Sequence, residues 1–424
     1  MYIARRSKMP DDKNILRVER VREHGGRDAT LLENNSIRVM IDDIGGMIPE
    51  FSAIQGKKRV NAHWLPWFRS NSGRAFGPEE ESFWKVKLLY DIAGNFPCAP
   101  NFGGDDDLDG LKLPPHGWTA NLSWRFRGKF SDSEAAWAVS TMESPEAKMP
   151  LSFKKIDAAL AGHPVHYTSL AITNNGKADV EINAAWHNTA GSPLLESGCV
   201  ISGAADRWMV VPRGGEFDNT TRLQLDAEFD SLKQVPLASG GTADVSVVPG
   251  PIGYTDMVCG AIPAAANVGW SALVNPRLKL AYYCFFTGPA AAAEDEIILR
   301  FNDLWMQYGG RLFTPWAAED GGTDLTFCLG TENSAAGFAF GLKYARAKKE
   351  MLGAPTTVCV PAGKTRVLRY GTLFAPYEGN ALDSGVCSSE AGDGLLILKG
   401  KNESGRFAAD AKFRLLKRLE AENT

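Results

Sequence analysis

Three side chains in this sequence have the types and settings needed to move protons: His116, His187 and Glu332. His116 lies in Leu113-Pro114-Pro115-His116-Gly117-Trp118. The prolines there stiffen the approach, and Gly117 lets a ligand come close to the backbone. His187 lies in Trp186-His187-Asn188-Thr189-Ala190-Gly191, and Glu332 directly follows the apolar run Phe327-Cys328-Leu329-Gly330-Thr331. Both read as strand ends at a sheet rim, where scaffolds often present functional groups. Taken singly, each also fits a structural role: a turn histidine, a rim histidine, a solvated loop acid. Together they make a set. Imidazole titrates at about 6.5 and can donate or accept, and a partly desolvated Glu can be raised to act as a base. Two imidazoles and a carboxylate suffice for proton transfer at two oxygens near pH 7. This chemistry needs no metal and no redox cofactor.

Aromatic and polar residues supply candidate ligand contacts. The segment His63-Trp64-Leu65-Pro66-Trp67-Phe68-Arg69-Ser70-Asn71-Ser72-Gly73-Arg74 combines indoles with two arginines. A sugar ring can lay its C–H face on Trp64, and Arg74 can pair with a carboxylate or phosphate. The alternative is a Trp-rich loop packed on the core. Trp305 and Gln307 share one face of a strand and can line the same cleft, with Trp316 a further candidate. Asp105-Asp106-Asp107-Leu108-Asp109-Gly110 matches the first half of a calcium loop, but position twelve holds His116 where a bidentate Glu is needed. That excludes an EF-hand. A calcium site completed by a distant ligand and a solvated acidic loop remain, and the loop is the simpler reading. His163 and His166 are three apart in a strand start and face different ways, which disfavours zinc.

These residues must be held by strands. Gly (43) and Pro (23) are spread along the chain, and short alternating apolar segments lie between them. Ile37, Val39 and Ile41 alternate with polar neighbours, as do Leu122, Trp124 and Phe126. A hairpin is expected from Val165 to His187, turning at Asn174-Asn175-Gly176-Lys177, with Trp186 and His187 on opposite faces of its return arm. Further strands are expected over 278–287, 297–308, 324–330 and 367–374. A short helix is expected within 338–352. Phe407, Ala411, Leu415 and Leu419, spaced by four, predict an amphipathic helix over 406–420. The organisation read from this is a leader over residues 1–28, polar and strapped over the body or partly disordered; a β domain over 29–400; and a C-terminal helix over 401–424 packed on it. The fold class is all-β, a large two-sheet β-sandwich with few short helices.

Composition narrows the partners. The 46 Lys+Arg against 50 Asp+Glu give a net charge of −4, without the basic surplus of a general nucleic-acid binder. No apolar run approaches the roughly 18 residues of a membrane span, and residues 1–14 lack the apolar core of a secretory signal. Seven cysteines, an odd number with no CxxC pair, fit free thiols in a reducing cytoplasm better than a disulfide framework. No nucleotide fingerprint or phosphate-cradling loop is present, so no cofactor is implied.

Over roughly residues 30–375 the chain resembles the galactose mutarotase-like, or aldose 1-epimerase-like, superfamily. Asn35-Ser36-Ile37-Arg38-Val39 leading to Gly45-Gly46-Met47-Ile48 resembles that family's opening strands. His116-Gly117 followed by Trp124 resembles its first histidine motif, and Trp186-His187-Asn188 the second. Leu329-Gly330-Thr331-Glu332-Asn333 stands where its late glutamate falls, and Val360-Pro361-Ala362-Gly363-Lys364-Thr365 resembles the turn before its last strand. The chain departs from the pattern in having no Arg after His116-Gly117, no aromatic pair after His187 and no Pro after Glu332. The resemblance implies a supersandwich fold and a small-molecule sugar as ligand. It implies that Glu332 takes the proton of the anomeric hydroxyl, His187 protonates the ring oxygen and His116 polarises the substrate. It also implies that Asp256, in Tyr254-Thr255-Asp256-Met257, binds sugar. Two other readings stay open: a lyase or hydrolase on the same sandwich, which would want a second carboxylate, and a non-catalytic sugar sensor.

Overall fold

The computed structural model describes residues 15–23, 26–66, 69, 77–78, 81–82, 87–213, 221–312, 316–317, 324–377, 386–392, 395–400, 407–410 and 413–423. Its architecture follows from strands buried on both faces. In Leu280–Thr287, Tyr282, Cys284 and Phe286 point into one apolar cluster, and Ala281, Tyr283 and Phe285 into another. A strand apolar on both sides must lie in the middle of three layers.

That strand belongs to an eight-stranded antiparallel sheet, the large sheet. Its order is Val200–Gly203, Val268–Asn275, Leu280–Thr287, Thr365–Pro376, Val165–Asn174, Leu151–Leu160, Ala135–Glu143 and Arg125–Ser131. A seven-stranded antiparallel sheet faces it. It runs Glu228–Phe229, Arg207–Val210, Thr255–Ala261, Phe301–Tyr308, Phe327–Ser334, Ala185–Gly191 and Asn95–Cys98. The main core lies between them, with Leu170, Ile172 and Leu368 from the large sheet and Trp186, Leu304, Met306 and Leu329 from the other. Trp186 stacks on Tyr370 across the interface, ring centroids 4.9 Å apart. A five-stranded sheet, Leu16–Glu23, Arg27–Asn34, Ile37–Asp42, Glu50–Gln55 and Lys58–Asn61, packs beside the large one. Asn34 ties the two by donating to the carbonyls of Leu160 (2.6 Å) and His163 (2.8 Å).

The outer face of the large sheet is closed by the C-terminal helix Phe413–Glu422, whose Leu416 and Leu419 join Tyr167, Tyr283, Phe285 and Leu373. Burial of each leucine stabilises by about 1.5–3 kcal/mol. Arg369 fixes the helix further by donating to both carboxylate oxygens of Glu420, at 2.9 and 2.6 Å. The helix is shorter than its apolar spacing predicted. Phe407–Asp410 is a strand paired with Leu395–Gly400, so Phe407 is not helical, and Ala411 lies outside the described residues.

Other sequence expectations are also redrawn. The predicted leader contains Leu16–Glu23, a strand in full register with Arg27–Asn34. The helix expected within 338–352 is the short Leu342–Lys348. The predicted hairpin does not form. Val165–Asn174 pairs with Leu151–Leu160 and Thr365–Pro376. Its supposed return arm splits: Val180–Ile182 pairs with Val358–Val360, and Ala185–Gly191 crosses into the seven-stranded sheet. The chain does bend here, but through a side-chain bond and not positive φ: Gly176 N–H donates to Asn174 Oδ1 at 2.9 Å, and neither Asn174, Asn175 nor Gly176 is left-handed. The chain leaves the turn for a different layer because Trp186 is needed in the inter-sheet core.

Candidate active site

The outer face of the seven-stranded sheet carries the candidate site. Alternation places His187 and Thr189 of Ala185–Gly191, Gly330 and Glu332 of Phe327–Ser334, and Asp303, Trp305 and Gln307 of Phe301–Tyr308 on that face. His187 and Glu332 are not rim residues. Both lie inside their strands, and both are buried, at 4% and 3% exposure. The polar run Thr331-Glu332-Asn333-Ser334 looked like a loop but continues the strand. Its inward residues find partners between the sheets: Ser271 Oγ donates to the Thr331 carbonyl (3.1 Å), and Tyr370 OH to Asn333 Oδ1 (2.6 Å).

His187 Nε2 stands 3.3 Å from Glu332 Oε1, and its Nδ1 is 3.1 Å from Thr189 Oγ1. A hydroxyl donating to Nδ1 leaves the proton on Nε2, toward the carboxylate. The carboxylate lies over Gly330: a Cβ there would come within 2.8 Å of Glu332 Oε1 and 3.0 Å of the Trp305 Cβ. Glycine is therefore the residue that leaves the carboxylate its place.

His116 reaches the same point from a loop. Its ring meets His187 edge to face, centroids 4.7 Å apart at 89°. The backbone turns through two left-handed residues, His116 (φ 57) and Gly117 (φ 76). A non-glycine in that region is uncommon and marks a conformation held by its surroundings. The holding bonds are visible. His116 N–H donates to the Gly103 carbonyl (2.8 Å), Gly103 N–H returns to His116 Nδ1 (3.4 Å), and Asn121 Nδ2 donates to the carbonyls of Pro115 and Gly117. At Gly117 a Cβ would fall 2.3 Å from the Ala99 carbonyl oxygen.

Phe96 stacks flat on His187 (4.5 Å, 15°), and Phe102 leans on His116 (5.5 Å). Burial among these rings pushes the His116 imidazole down to about 4. Burial, and then the neighbouring His116, hold His187 well below its ordinary value. Both shifts favour the neutral rings. Trp305 stands 6.3 Å from His187, with Trp64 and Trp316 each 6.5 Å from Trp305. Arg311 lies over Trp316 at 3.8 Å and is paired with Asp324 at 2.7 Å. Trp305 Nε1 and both amide atoms of Gln307 are buried without a hydrogen-bond partner. Buried polar atoms left unpaired cost about 1–3 kcal/mol each, so such a group calls for an explanation.

No family model and no curated protein sequence matches the chain. Solved structures do match. A proposed aldose 1-epimerase from Klebsiella pneumoniae subsp. pneumoniae aligns over 84% of this chain and 83% of its own, at 13% identity and a TM-score of 0.59. A galactose mutarotase-like protein from Clostridium acetobutylicum aligns over 85% and 99%, at 10% identity and a TM-score of 0.55. A galactose mutarotase related enzyme from Lactobacillus acidophilus aligns over 82% and 97%, at 12% identity and a TM-score of 0.52. The fold is the galactose mutarotase-like sandwich. At such identities the likeness carries the fold alone.

Within this mutarotase-like sandwich, the structure brings together His116, His187, Glu332 and Trp305, with Trp64 beside Trp305 and Gln307 two residues along on the same face. It does not bring in Asp256. That residue is opposite Met306 in the ladder, so it shares the inward face, and Arg222 Nε binds its Oδ2 at 2.7 Å. One step along a strand reverses the face, and the sequence resemblance was too coarse to fix that step. Arg74 lies outside the described residues. Asp303 was overlooked. It stands directly opposite Glu332, accepts from Ser334 Oγ at 2.7 Å, and burial pushes its carboxyl up to about 7. Its place two residues before Trp305 was the available signal.

The acidic loop also finds a structural use. Asp106–Leu108 and Leu111–Leu113 form a small hairpin, and Asp106 Oδ2 accepts the Lys343 N–H (2.6 Å) at the start of Leu342–Lys348. Among the described residues no group of three or more His, Cys, Asp or Glu is placed to hold a metal ion. Cys98, Cys199, Cys259, Cys284 and Cys328 are buried free thiols, and Cys359 is an exposed one. No helix among the described residues is long and apolar enough to cross a membrane.

Proposed function

We propose that the protein is an aldose 1-epimerase-like isomerase that interconverts sugar anomers by acid–base ring opening and closing. The observation that carries this reading is the meeting of His187, Glu332 and His116 on one aromatic-walled sheet face, with His187 Nε2 3.3 Å from Glu332 Oε1. Glu332 takes the proton of the anomeric hydroxyl. His187 delivers a proton to the ring oxygen. His116 donates a hydrogen bond that polarises the sugar. Rotation about the C1–C2 bond of the open aldehyde and the reverse steps then yield the other anomer. Each proton transfer of this kind contributes on the order of 10²–10⁴-fold.

Delivery to the ring oxygen requires the imidazolium form of His187. Burial and His116 oppose that form. The adjacent Glu332 carboxylate is the counter-charge that favours it. The pair thus works with one shared proton, gained beside the carboxylate as the sugar binds. Trp305 and Gln307 bind the sugar, the first by its ring face and the second through its unpaired amide. Trp64 extends the apolar wall. An odd number of cysteines with no CxxC pair supports a reducing compartment such as the cytoplasm.

The test is anomer exchange followed by NMR magnetisation transfer on neutral, acidic and phosphorylated sugars, for the wild type and Glu332→Gln. Acceleration on one sugar class that the substitution abolishes supports the reading. If no sugar exchanges faster, and sugar-induced shifts are the same in both proteins, the fold serves a binding protein instead.

A further inference from the structure

The backbone ladder between Ala185–Gly191 and Phe327–Ser334 is interrupted at the site. It pairs Ala185 with Ser334 and Trp186 with Asn333, then resumes with Thr189 opposite Gly330 and Ala190 opposite Leu329. The register is the same on both sides of the break. His187 therefore falls opposite Glu332, and Asn188 opposite Thr331. The ladder lapses at two residue pairs, one of which mounts the proton-carrying side chains.

Each face bridges this break with side chains. On the site face the bridge is the His187–Glu332 contact. On the inner face, Asn188 Nδ2 donates to Thr331 Oγ1 at 2.6 Å, both residues being fully buried. The link continues beyond the sheet. Tyr282 OH, from the large sheet, reaches Asn188 Oδ1 at 2.5 Å. His63 Nε2 is 2.8 Å from the same hydroxyl, and His63 Nδ1 is 2.5 Å from the Ile48 carbonyl oxygen. The break in the ladder is thus tied through one buried chain to the facing sheet and to the segment after Ile37–Asp42.

We propose that Asn188 and Thr331 are positioning residues whose hydrogen bond, anchored through Tyr282, sets the approach of His187 to Glu332 across the break. This rests on the acid–base roles assigned to that pair above. Elsewhere in the sheet, paired backbone fixes strand separation. Where pairing lapses, the separation is set by what still connects the strands, and on the inner face that is this bond. A bond between buried groups is costly to leave unmade, so it holds geometry firmly. An error of about 1 Å between reacting groups can cost about 10²-fold in rate.

Thr331→Val removes the hydroxyl at nearly constant shape, and Thr331→Ser restores it. Two readouts are taken on the full chain: anomer exchange at low and saturating sugar, and the imidazole ¹⁵N resonances of His187 without sugar. Thr331→Val is expected to lower kcat about 10–100-fold with KM within about twofold, and to move the His187 resonances. Thr331→Ser is expected to return both. Unmoved His187 resonances in folded Thr331→Val overturn the proposal, as does a rise in KM at constant kcat. Should Thr331→Val not fold, Tyr282→Phe releases only the anchor, and unmoved resonances there overturn the proposal equally. A wild type that accelerates no sugar sinks the isomerase reading, while the resonances still decide whether the bond positions His187.

Discussion

Two histidines in this protein face carboxylates at nearly the same distance, His187 with Glu332 (3.3 Å) and His166 with Asp157 (3.1 Å). Both pairs are buried on sheet strands. Their surroundings differ. Asp157 is held by a cation and a hydroxyl: Lys155 Nζ stands 2.7 Å away, and Thr168 Oγ1 donates at 3.2 Å. Burial alone would raise the Asp157 carboxyl, but Lys155 and then His166 outweigh it and hold the group at about 2. Around the His187–Glu332 pair stand the rings of Phe96 and Trp305 and a second imidazole, His116. The first acid has a buried cation beside it; the second has an aromatic wall and a second imidazole instead. A carboxylate beside an imidazole is therefore not a site in itself; the charges and rings around the pair decide what it can do.

The comparison can be broken most sharply by removing each acid in turn. Glu332→Gln is expected to lower anomer exchange on the order of 10³-fold, with the fold intact by circular dichroism. Asp157→Asn is expected to leave exchange per folded molecule unchanged. It should cost about 3–5 kcal/mol of stability in urea unfolding, because Lys155 loses its buried partner. A large activity loss in Asp157→Asn at full stability would erase the distinction.

Protonation separates the regions in a second way. The Asp157 carboxylate is held below its ordinary value, so its contribution is present above about pH 4 and is lost as pH falls toward 2. The site imidazoles behave differently. His116 stays neutral in the folded protein down to about pH 4, whereas the unfolded chain takes up that proton near 6.5. Stability therefore falls as pH drops from about 6.5, by about 1.4 kcal/mol per pH unit for each such histidine. His116→Gln should make the slope of stability against pH between 6 and 4.5 shallower by that amount. An unchanged slope would place the titration elsewhere. The smallest effect is expected at Gln307. Gln307→Met removes two unpaired buried atoms and should raise stability by about 1 kcal/mol while raising KM about tenfold. Calorimetry and sugar titration together read this opposition.

How much of this was legible in the sequence follows from what each signal can carry. Period-two alternation located most strands, and it put Trp305 with Gln307 and Trp186 opposite His187. His116, His187 and Glu332 were found because imidazoles are few and each stood beside a structural break. Pairing partners were not legible. The segment after Asn174 has turn chemistry that fits a hairpin, yet its strands go to two different sheets, because partner choice is decided by distant apolar residues such as Trp186 and Tyr370. Asp256 was assigned by resemblance, one residue out of phase with the site. Thr331 and Asn333 read as loop because their partners, Ser271 and Tyr370, come from another sheet. The spacing of four before Leu419 began in a strand, since Phe407 matches a helical period only by coincidence.

Neighbouring residues on these strands do unlike jobs: His187 and Glu332 face outward, while Asn188 and Thr331 face inward. Deleting or inserting one residue in either strand would turn that assignment inside out, sending a carboxylate into the core and a threonine to the sugar. Descendants of this chain can therefore vary in length at their loops, or change side chains in place, but they cannot gain or lose a residue between 185 and 191 or between 327 and 334 and keep the candidate site. Length conservation in those two windows, more than residue identity, is the mark that should travel with the activity.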